Sequence, residues 1–161
     1  MDAPKQHPES IVVSAGRPHE PGGPVNTPIV PAAPYRHDGA DNRYARHDVS
    51  PTVASFEAVL GELEGGDALA FASGIGALAT VVDTLPVGAV VVVPAEAYSG
   101  TVATFREGET AGRFAVRRVD TGSPDEVAAA CAGAALVWVE TVSNPLMTVA
   151  DLPAIAAAAH A

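Results

Sequence analysis

Glu140 and Asn144 are the residues of this sequence whose surroundings most directly indicate chemistry. They follow the apolar run 134–139, which is typical of a buried strand. A parallel strand delivers the residues after it to the carboxyl edge of its sheet, where open α/β folds bind ligands. We therefore expect both side chains at a binding edge, although a plain turn at Asn144 and Pro145 would explain the same residues.

Two further polar segments are predicted to reach the same edge. Ser73, Gly74 and Ile75 lie between a predicted strand and a predicted helix. Glycine there lets the backbone approach a ligand closely, and the first N–H groups of a helix can hold a phosphate. A tight turn without a ligand explains these three residues equally well. Tyr98 follows the next predicted strand, where a tyrosine is more often a packing residue than a catalytic one.

The same glycines also fit a dinucleotide-binding pattern. Gly74, Gly76 and Ala79 match the spacing G-x-G-x-x-A, and Glu96 follows near the end of the next strand. A nucleotide-binding α/β domain is therefore an alternative. It gives no role to Tyr98 or to the polar residues after the last predicted strand.

Taken in chain order, four short motifs resemble the pyridoxal 5'-phosphate (PLP) enzymes of the cysteine and methionine trans-sulfuration family. This family includes the cystathionine γ-synthases, the cystathionine lyases and methionine γ-lyase. The resemblance covers about residues 10 to 161 and implies PLP as the cofactor. It also implies an α/β fold, the PLP-dependent transferase fold type I, as an incomplete, mostly parallel sheet with helices on both faces. The motifs are Tyr44-Ala45-Arg46, Ser73-Gly74-Ile75-Gly76-Ala77, Ala97-Tyr98-Ser99-Gly100-Thr101 and Glu140-Thr141-Val142-Ser143-Asn144-Pro145-Leu146.

The resemblance assigns roles around the cofactor. Ser73, Gly74 and Ile75 would hold its phosphate. Tyr98 would stack on its pyridine ring and handle protons at the departing group, and Asn144 would hydrogen-bond the ring hydroxyl. Stacking of flat rings contributes about 0.5–1.5 kcal/mol beyond area burial.

Three more residues receive supporting roles from the resemblance. Glu140 would buttress the loop that carries the asparagine. Tyr44 and Arg46 would reach across a dimer interface to the phosphate in the neighbouring subunit, since a planar guanidinium binds phosphate oxygens in bidentate fashion. The family usually has two residues and then Asn-Pro-Thr after the arginine. Here three residues precede Ser50-Pro51-Thr52, so Arg46 is placed less securely than Tyr98.

The implied reaction is elimination or replacement at the β or γ carbon of a sulfur amino acid, most like that of cystathionine γ-lyase. Cystathionine γ-synthase and methionine γ-lyase are alternatives. Lys5 is the only lysine and precedes every motif, so the Schiff-base lysine of the family has no counterpart in this chain. The aspartate that protonates the pyridine nitrogen and the arginine that binds the substrate carboxylate also lie further along family members.

We therefore expect a truncated chain or a split subunit that is inactive by itself. Its partners would be the amino-acid substrate, further copies of itself, and a chain that carries the lysine. In that case the downstream coding sequence should contain a Val-Asp-Asn strand and a Ser-x-x-Lys segment. A non-catalytic regulatory paralogue that binds a family member is a further alternative.

Composition excludes several other functions. Nine basic against nineteen acidic side chains give a formal charge of −10, which argues against nucleic acid or an anionic membrane as a partner. No apolar segment approaches the roughly 20 residues of a membrane span, and no leader is visible, so a cytoplasmic protein is expected. The single Cys131 and the five scattered histidines share no ligand spacing, and we predict no metal.

The apolar pattern predicts an extended N-terminal arm over residues 1–43 and the front part of the PLP-binding α/β domain over 44–161. A helix should begin after Ser50 and end at Gly65, with Val53, Phe56 and Leu60 among the residues of its apolar side. Alternating strands and helices at this spacing indicate βαβ units. Strands are predicted over residues 68–71, 89–93, 114–119 and 134–139, and helices over 74–84, 98–106, 124–131 and 151–160.

Overall fold

The computed structural model describes residues 6–31, 34–36, 44 and 50–161. The chain divides into two compact units, Met1–Phe71 and Ala72–Ala161. The expected division between the arm and the α/β domain, after residue 43, stays a prediction. Lys5 and Arg46 lie outside the described residues.

The described residues of the first unit form two helices, α1 (Pro8–Ser14) and α2 (Pro51–Glu64). The predicted start and end of α2 are confirmed: the Ser50 hydroxyl accepts the Val53 N–H at 3.3 Å, and Gly65 ends the helix with a φ of 72°. Such a left-handed residue is the common glycine stop of a helix. Helix α1 was not expected within an extended arm; it begins at a proline, which suits a first helical turn.

The predicted apolar side of α2 is exposed in this unit, with Val53, Phe56 and Leu60 at 37–55%. One prediction is wrong, because residues 68–71 form no strand, and Leu69 is 75% exposed. A strand needs a neighbour for its N–H and C=O groups, and within the described residues none pairs with this segment.

The second unit is an α/β layer structure with three parallel strands in the order β2-β1-β3. The strand β1 is central, with Ala89 opposite Phe114 on one side and Val91 opposite Leu136 on the other. The α/β class and the parallel pairing are therefore confirmed. The elements are α3 (Gly74–Asp83), β1 (Ala89–Pro94), α4 (Ser99–Thr110), β2 (Phe114–Val119), α5 (Pro124–Ala130), β3 (Leu136–Val137) and α6 (Leu152–Ala159).

Most predicted boundaries in this unit agree with the structure to within a residue. Two differ: α4 continues to Thr110, four residues beyond the predicted end, and β3 is shorter than the predicted 134–139. Pairing nevertheless extends past β3, because Ala135 N–H and Trp138 N–H donate to carbonyls of β1 at 2.8 Å. In the described part of the chain only β1 pairs with β3.

Helices cover both faces of the sheet, as predicted. On one face, Leu78 and Val82 of α3 and Phe105 of α4 pack on Val91 and Val93. On the other face, Val92 packs with side chains that include Val127 of α5 and Ile155 of α6. This alternation along β1 is the two-residue period of a strand that is buried on both sides. Among the described residues, no helix is long and apolar enough to cross a bilayer.

A glycine in α4 makes room for the Phe114 ring. A methyl group on Gly108 would overlap this ring, and Phe114 is only 4% exposed and lies edge-on to Phe105. We expect Gly108→Ala to lower the free energy of unfolding by about 1–3 kcal/mol, as overpacked cores do, although alanine is the better helix former. Urea denaturation measures this change.

The matched control is Glu107→Ala, at the exposed neighbouring position of the same helix. It should change the free energy of unfolding by less than about 0.5 kcal/mol. Equal midpoints for the wild type and Gly108→Ala would mean that the ring does not pack against this helix.

Candidate functional site

The Glu140 carboxylate joins the end of β3 to the beginning of α4. One of its oxygens, Oε2, accepts the Tyr98 N–H at 2.9 Å. The other, Oε1, accepts the Thr101 hydroxyl at 2.6 Å and the Trp138 indole N–H at 3.3 Å. A negative charge is favourable at a helix N-terminus, where backbone N–H groups lack partners within the helix. Glu140 therefore acts as a cap supplied by a distant strand.

Tyr98 is the residue just before α4, and its ring is half exposed. The ring and the Ile75 side chain both approach Gly100: a methyl group there would lie 2.6 Å from Tyr98 Cε1 and 2.8 Å from Ile75 Cδ1. The structure thus brings Ile75, Tyr98 and Glu140 to one edge of the sheet, at the carboxyl ends of β1 and β3.

The Ser73 turn has the geometry of an anion-binding helix start. The Ser73 hydroxyl oxygen accepts the Gly76 N–H at 3.0 Å, and the Ser73 carbonyl accepts the Ala77 N–H at 3.1 Å. Within the described residues, the N–H groups of Gly74 and Ile75 have no acceptor. A Cβ on Gly74 would meet nothing within 4 Å, so the space above this turn is open. Helix starts of this kind bind phosphate readily.

Asn144 lies in a tight loop after β3. The loop is closed by Ser143 N–H donating to the Thr148 carbonyl and by Thr148 N–H donating to the Ser143 hydroxyl, both at 3.0 Å. Ser143 is 2% exposed, whereas Asn144 is exposed, and in the described part of the chain its amide makes no hydrogen bond. The backbone is a turn, as the simpler interpretation had it, and the turn leaves the amide accessible.

The remaining predicted residues belong to the first unit. Tyr44 pairs with Pro34 in an isolated antiparallel bridge. Arg46 lies outside the described residues, so its expected position stays a prediction.

A cavity of about 310 Å³ lies beside the Asn144 loop, at the carboxyl ends of β1 and β2. Its lining includes Glu96, Thr121 and Ser143 but none of the residues predicted to bind PLP. Glu96, which the dinucleotide pattern required, lies here. Within the described residues, no group of three His, Cys, Asp or Glu side chains could hold a metal ion.

Sequence reasoning missed Thr101 and Trp138, the two side chains that donate to Glu140. Thr101 could have been found, because it lies three residues after Tyr98, the spacing at which helix-capping groups recur. The Trp138 contact had no comparable signal, since an indole in an apolar run predicts only burial.

Residues 9–161 match the family model described as Cys/Met metabolism PLP-dependent enzyme. Cystathionine γ-synthase of Mycobacterium tuberculosis is 36% identical over 92% of this chain and 40% of its own length. Cystathionine β-lyase of Coxiella burnetii is 33% identical over 94% of this chain and 41% of its own length. The crystal structure of a cystathionine γ-lyase from Micromonospora echinospora superposes with a TM-score of 0.81 at 33% identity, over 96% of this chain and 42% of that one.

The expected fold type is confirmed by this superposition. The chain spans about 40% of the length of the curated relatives it matches. It is therefore similar to one part of these proteins.

The Glu140 cap gives a first test of the site. In Glu140→Gln, one acceptor oxygen becomes an NH₂ donor, so either the Tyr98 N–H or the Trp138 indole N–H loses its acceptor. Because a lost hydrogen bond to a charged group costs about 1.5–3 kcal/mol, we expect the free energy of unfolding to fall by an amount in this range. Trp138 is the only tryptophan, so its emission spectrum should shift as well.

Glu96→Gln is the matched control, because Glu96 is exposed at the same sheet edge and accepts no hydrogen bond in the described part of the chain. It should change neither the stability nor the emission. An unchanged Trp138 spectrum in Glu140→Gln would contradict the bridging position of the carboxylate.

Proposed function

Because the chain belongs to the Cys/Met metabolism PLP-dependent enzyme family, we propose that it forms the front half of a PLP site in an enzyme of sulfur amino acids. The reaction would be elimination or replacement at the β or γ carbon, most like that of cystathionine γ-lyase. The observation that carries this proposal is the Glu140 carboxylate, which holds Tyr98 beside Ile75 at the binding edge of the sheet.

The phosphate of the cofactor fits the Ser73 turn. Two N–H groups at the start of α3, those of Gly74 and Ile75, have no acceptor among the described residues. The Ser73 oxygen is already an acceptor, so its hydroxyl hydrogen can donate to a phosphate oxygen. Open space above Gly74 would let the phosphate approach the backbone. Arg46 would add a bidentate contact to the phosphate in the neighbouring subunit, with Tyr44 beside it.

The ring of the cofactor would lie against Tyr98. An aromatic ring that is 50% exposed at a binding edge presents a face for offset stacking. Bound PLP supplies an electron sink for the bond changes at the substrate. Asn144, exposed on its closed loop, would donate to the ring hydroxyl, and the Tyr98 hydroxyl would hold or deliver a proton at the leaving group.

The covalent lysine must come from elsewhere. Lys5 is the only lysine of the chain and precedes all four motifs. We propose that the lysine, the aspartate and the substrate-binding arginine belong to a sequence that completes the fold, in the same polypeptide or in a partner chain. Exposed apolar side chains on α2 and on the loop after β3 support such a partner, because surfaces of this kind usually mark interaction sites.

The relatives do not decide between reactions, since a synthase, a β-lyase and a γ-lyase are about equally similar to this chain. Cystathionine γ-synthase and methionine γ-lyase therefore stay as alternatives, and so does a non-catalytic regulatory paralogue. Family membership favours the PLP phosphate over a dinucleotide at the Ser73 turn. The downstream coding sequence tests the paralogue: a Ser-x-x-Lys segment there supports an enzyme, and its absence supports a regulatory role.

The role of Tyr98 can be tested in the complex reconstituted with the polypeptide that supplies the lysine. Tyr98→Phe keeps the stacking face and removes the hydroxyl. We expect turnover of cystathionine to fall by about 10²-fold, the size of a lost general acid or base, while bound PLP per subunit changes little. Turnover is measured by release of 2-oxo acid, and PLP by its absorbance after alkaline release.

Tyr35→Phe is the matched control, because among the described residues the Tyr35 hydroxyl has no hydrogen-bond partner. It should leave both quantities unchanged. Equal and large losses of turnover and PLP in Tyr98→Phe would contradict the proton-handling role. Binding of NAD without binding of PLP would contradict the proposed function itself.

The isolated chain should not form a covalent complex with PLP. We expect no borohydride-trapped adduct at a defined site, and no ammonia or 2-oxo acid from cystathionine, homocysteine or cysteine. Adding the polypeptide encoded downstream should produce the trapped adduct, on that polypeptide, and the release of ammonia and 2-oxo acid. Activity of the chain alone that disappears in Lys5→Ala would overturn this expectation.

A further inference from the structure

Gly100 lies beneath two side chains of the proposed site. It is the second residue of α4, and a Cβ at this position would come within 2.6 Å and 3.2 Å of two Tyr98 ring carbons. The same Cβ would come within 2.8 Å of Ile75 Cδ1. Real Cβ contacts are not this short, so any larger residue would displace the tyrosine ring, the isoleucine side chain, or both.

The backbone gives no reason for a glycine here. Gly100 does not adopt the left-handed conformation that favours glycine, in contrast to Gly65 and Gly112. It lies within a helix, where alanine is the better residue. The space that glycine leaves is filled by Tyr98 and Ile75, so the steric requirement comes from these two side chains.

Gly108 and Gly100 differ in whether the side chains packed against them have room to move. The ring beside Gly108 is that of Phe114, which is 4% exposed and has no room to move. The atoms above Gly100 belong to Tyr98 and Ile75, which are 50% and 38% exposed and can move toward solvent. An added methyl group at residue 100 should therefore leave the fold stable and change the direction of the tyrosine ring.

We propose that Gly100 is a positioning residue, which sets the orientation of the Tyr98 ring and its separation from the phosphate turn that carries Ile75. This inference rests on the proposed function for its consequence, because only with PLP bound does the direction of the ring affect turnover. The packing of Tyr98 and Ile75 against Gly100 does not depend on a cofactor. This contact and the proposed function can therefore be tested separately.

The first measurement uses the 161-residue chain without cofactor. Tyrosine labelled with ¹³C in the ring gives signals from three residues, and Tyr98→Phe identifies those of Tyr98. In Gly100→Ala we expect the Tyr98 ring signals to shift while the urea midpoint does not fall below the wild-type value, since alanine is the better helix former. Ser99→Ala is the matched control: it also introduces alanine into the first turn of α4 but adds no atom, so the Tyr98 signals should move much less.

The second measurement uses the complex reconstituted with PLP and the lysine-bearing polypeptide. In Gly100→Ala we expect bound PLP to remain, its visible circular dichroism to change, and kcat to fall by about 10- to 100-fold, since a displacement of about 1 Å can cost this much. Ser99→Ala should keep the wild-type spectrum. A merely structural role would instead lower the urea midpoint and leave the spectrum of the folded enzyme unchanged.

The outcomes distinguish the two proposals. Unchanged Tyr98 signals in Gly100→Ala would overturn the positioning role, whatever the wild type binds. Shifted signals together with no PLP binding by the wild-type complex would uphold the contact and reject the proposed function. Shifted signals with wild-type kcat and circular dichroism in the complex would overturn the claim that the ring orientation matters to the reaction.

Discussion

A single carboxylate fixes the part of the candidate site that carries Tyr98. Glu140 accepts hydrogen bonds from the backbone before α4, from a hydroxyl in the first turn of α4 and from the Trp138 indole just after β3. Bonds to a charged acceptor are stronger than those between neutral groups, and partial burial reduces the competition from water. The end of β3 and the start of α4 are therefore fixed to each other, although about forty residues separate them in the chain.

The sheet behind this cap has a central strand that is buried on both faces. The central strand β1 is flanked on both sides, and Val91 and Val92 have no measurable exposure. The Trp138 ring that donates to Glu140 also packs at an angle on Phe105, with ring centroids 6.2 Å apart. One end of the capping network thus lies in the core and the other at the exposed edge, and the Glu140 carboxylate is bonded to both.

In contrast to the buried core, the residues of the candidate site are exposed to solvent. Ser73, Ile75, Tyr98 and Asn144 are all exposed, and the described cavity of 310 Å³ lies beside them rather than among them. Enzyme sites usually bury most of a small ligand, so in the site that we propose this edge would form only one wall. The chain spans about 40% of the length of its curated relatives.

The sequence by itself determined α2, the order of elements from residue 74 onward and the sheet edge to which Ile75, Tyr98 and Glu140 belong. Ser50 and Gly65 mark α2 because a cap and a left-handed stop are local, and the apolar run 89–93 marks β1 because burial on both faces leaves a pattern within six residues. Only the tertiary structure decided what each element contacts. The apolar side of α2 stays exposed, residues 68–71 form no strand, and Glu140 finds Thr101 and Trp138, because each of these outcomes depends on a partner distant in the chain. Local preferences are encoded in a few neighbouring residues, whereas pairing and capping across the fold require the other element to be present.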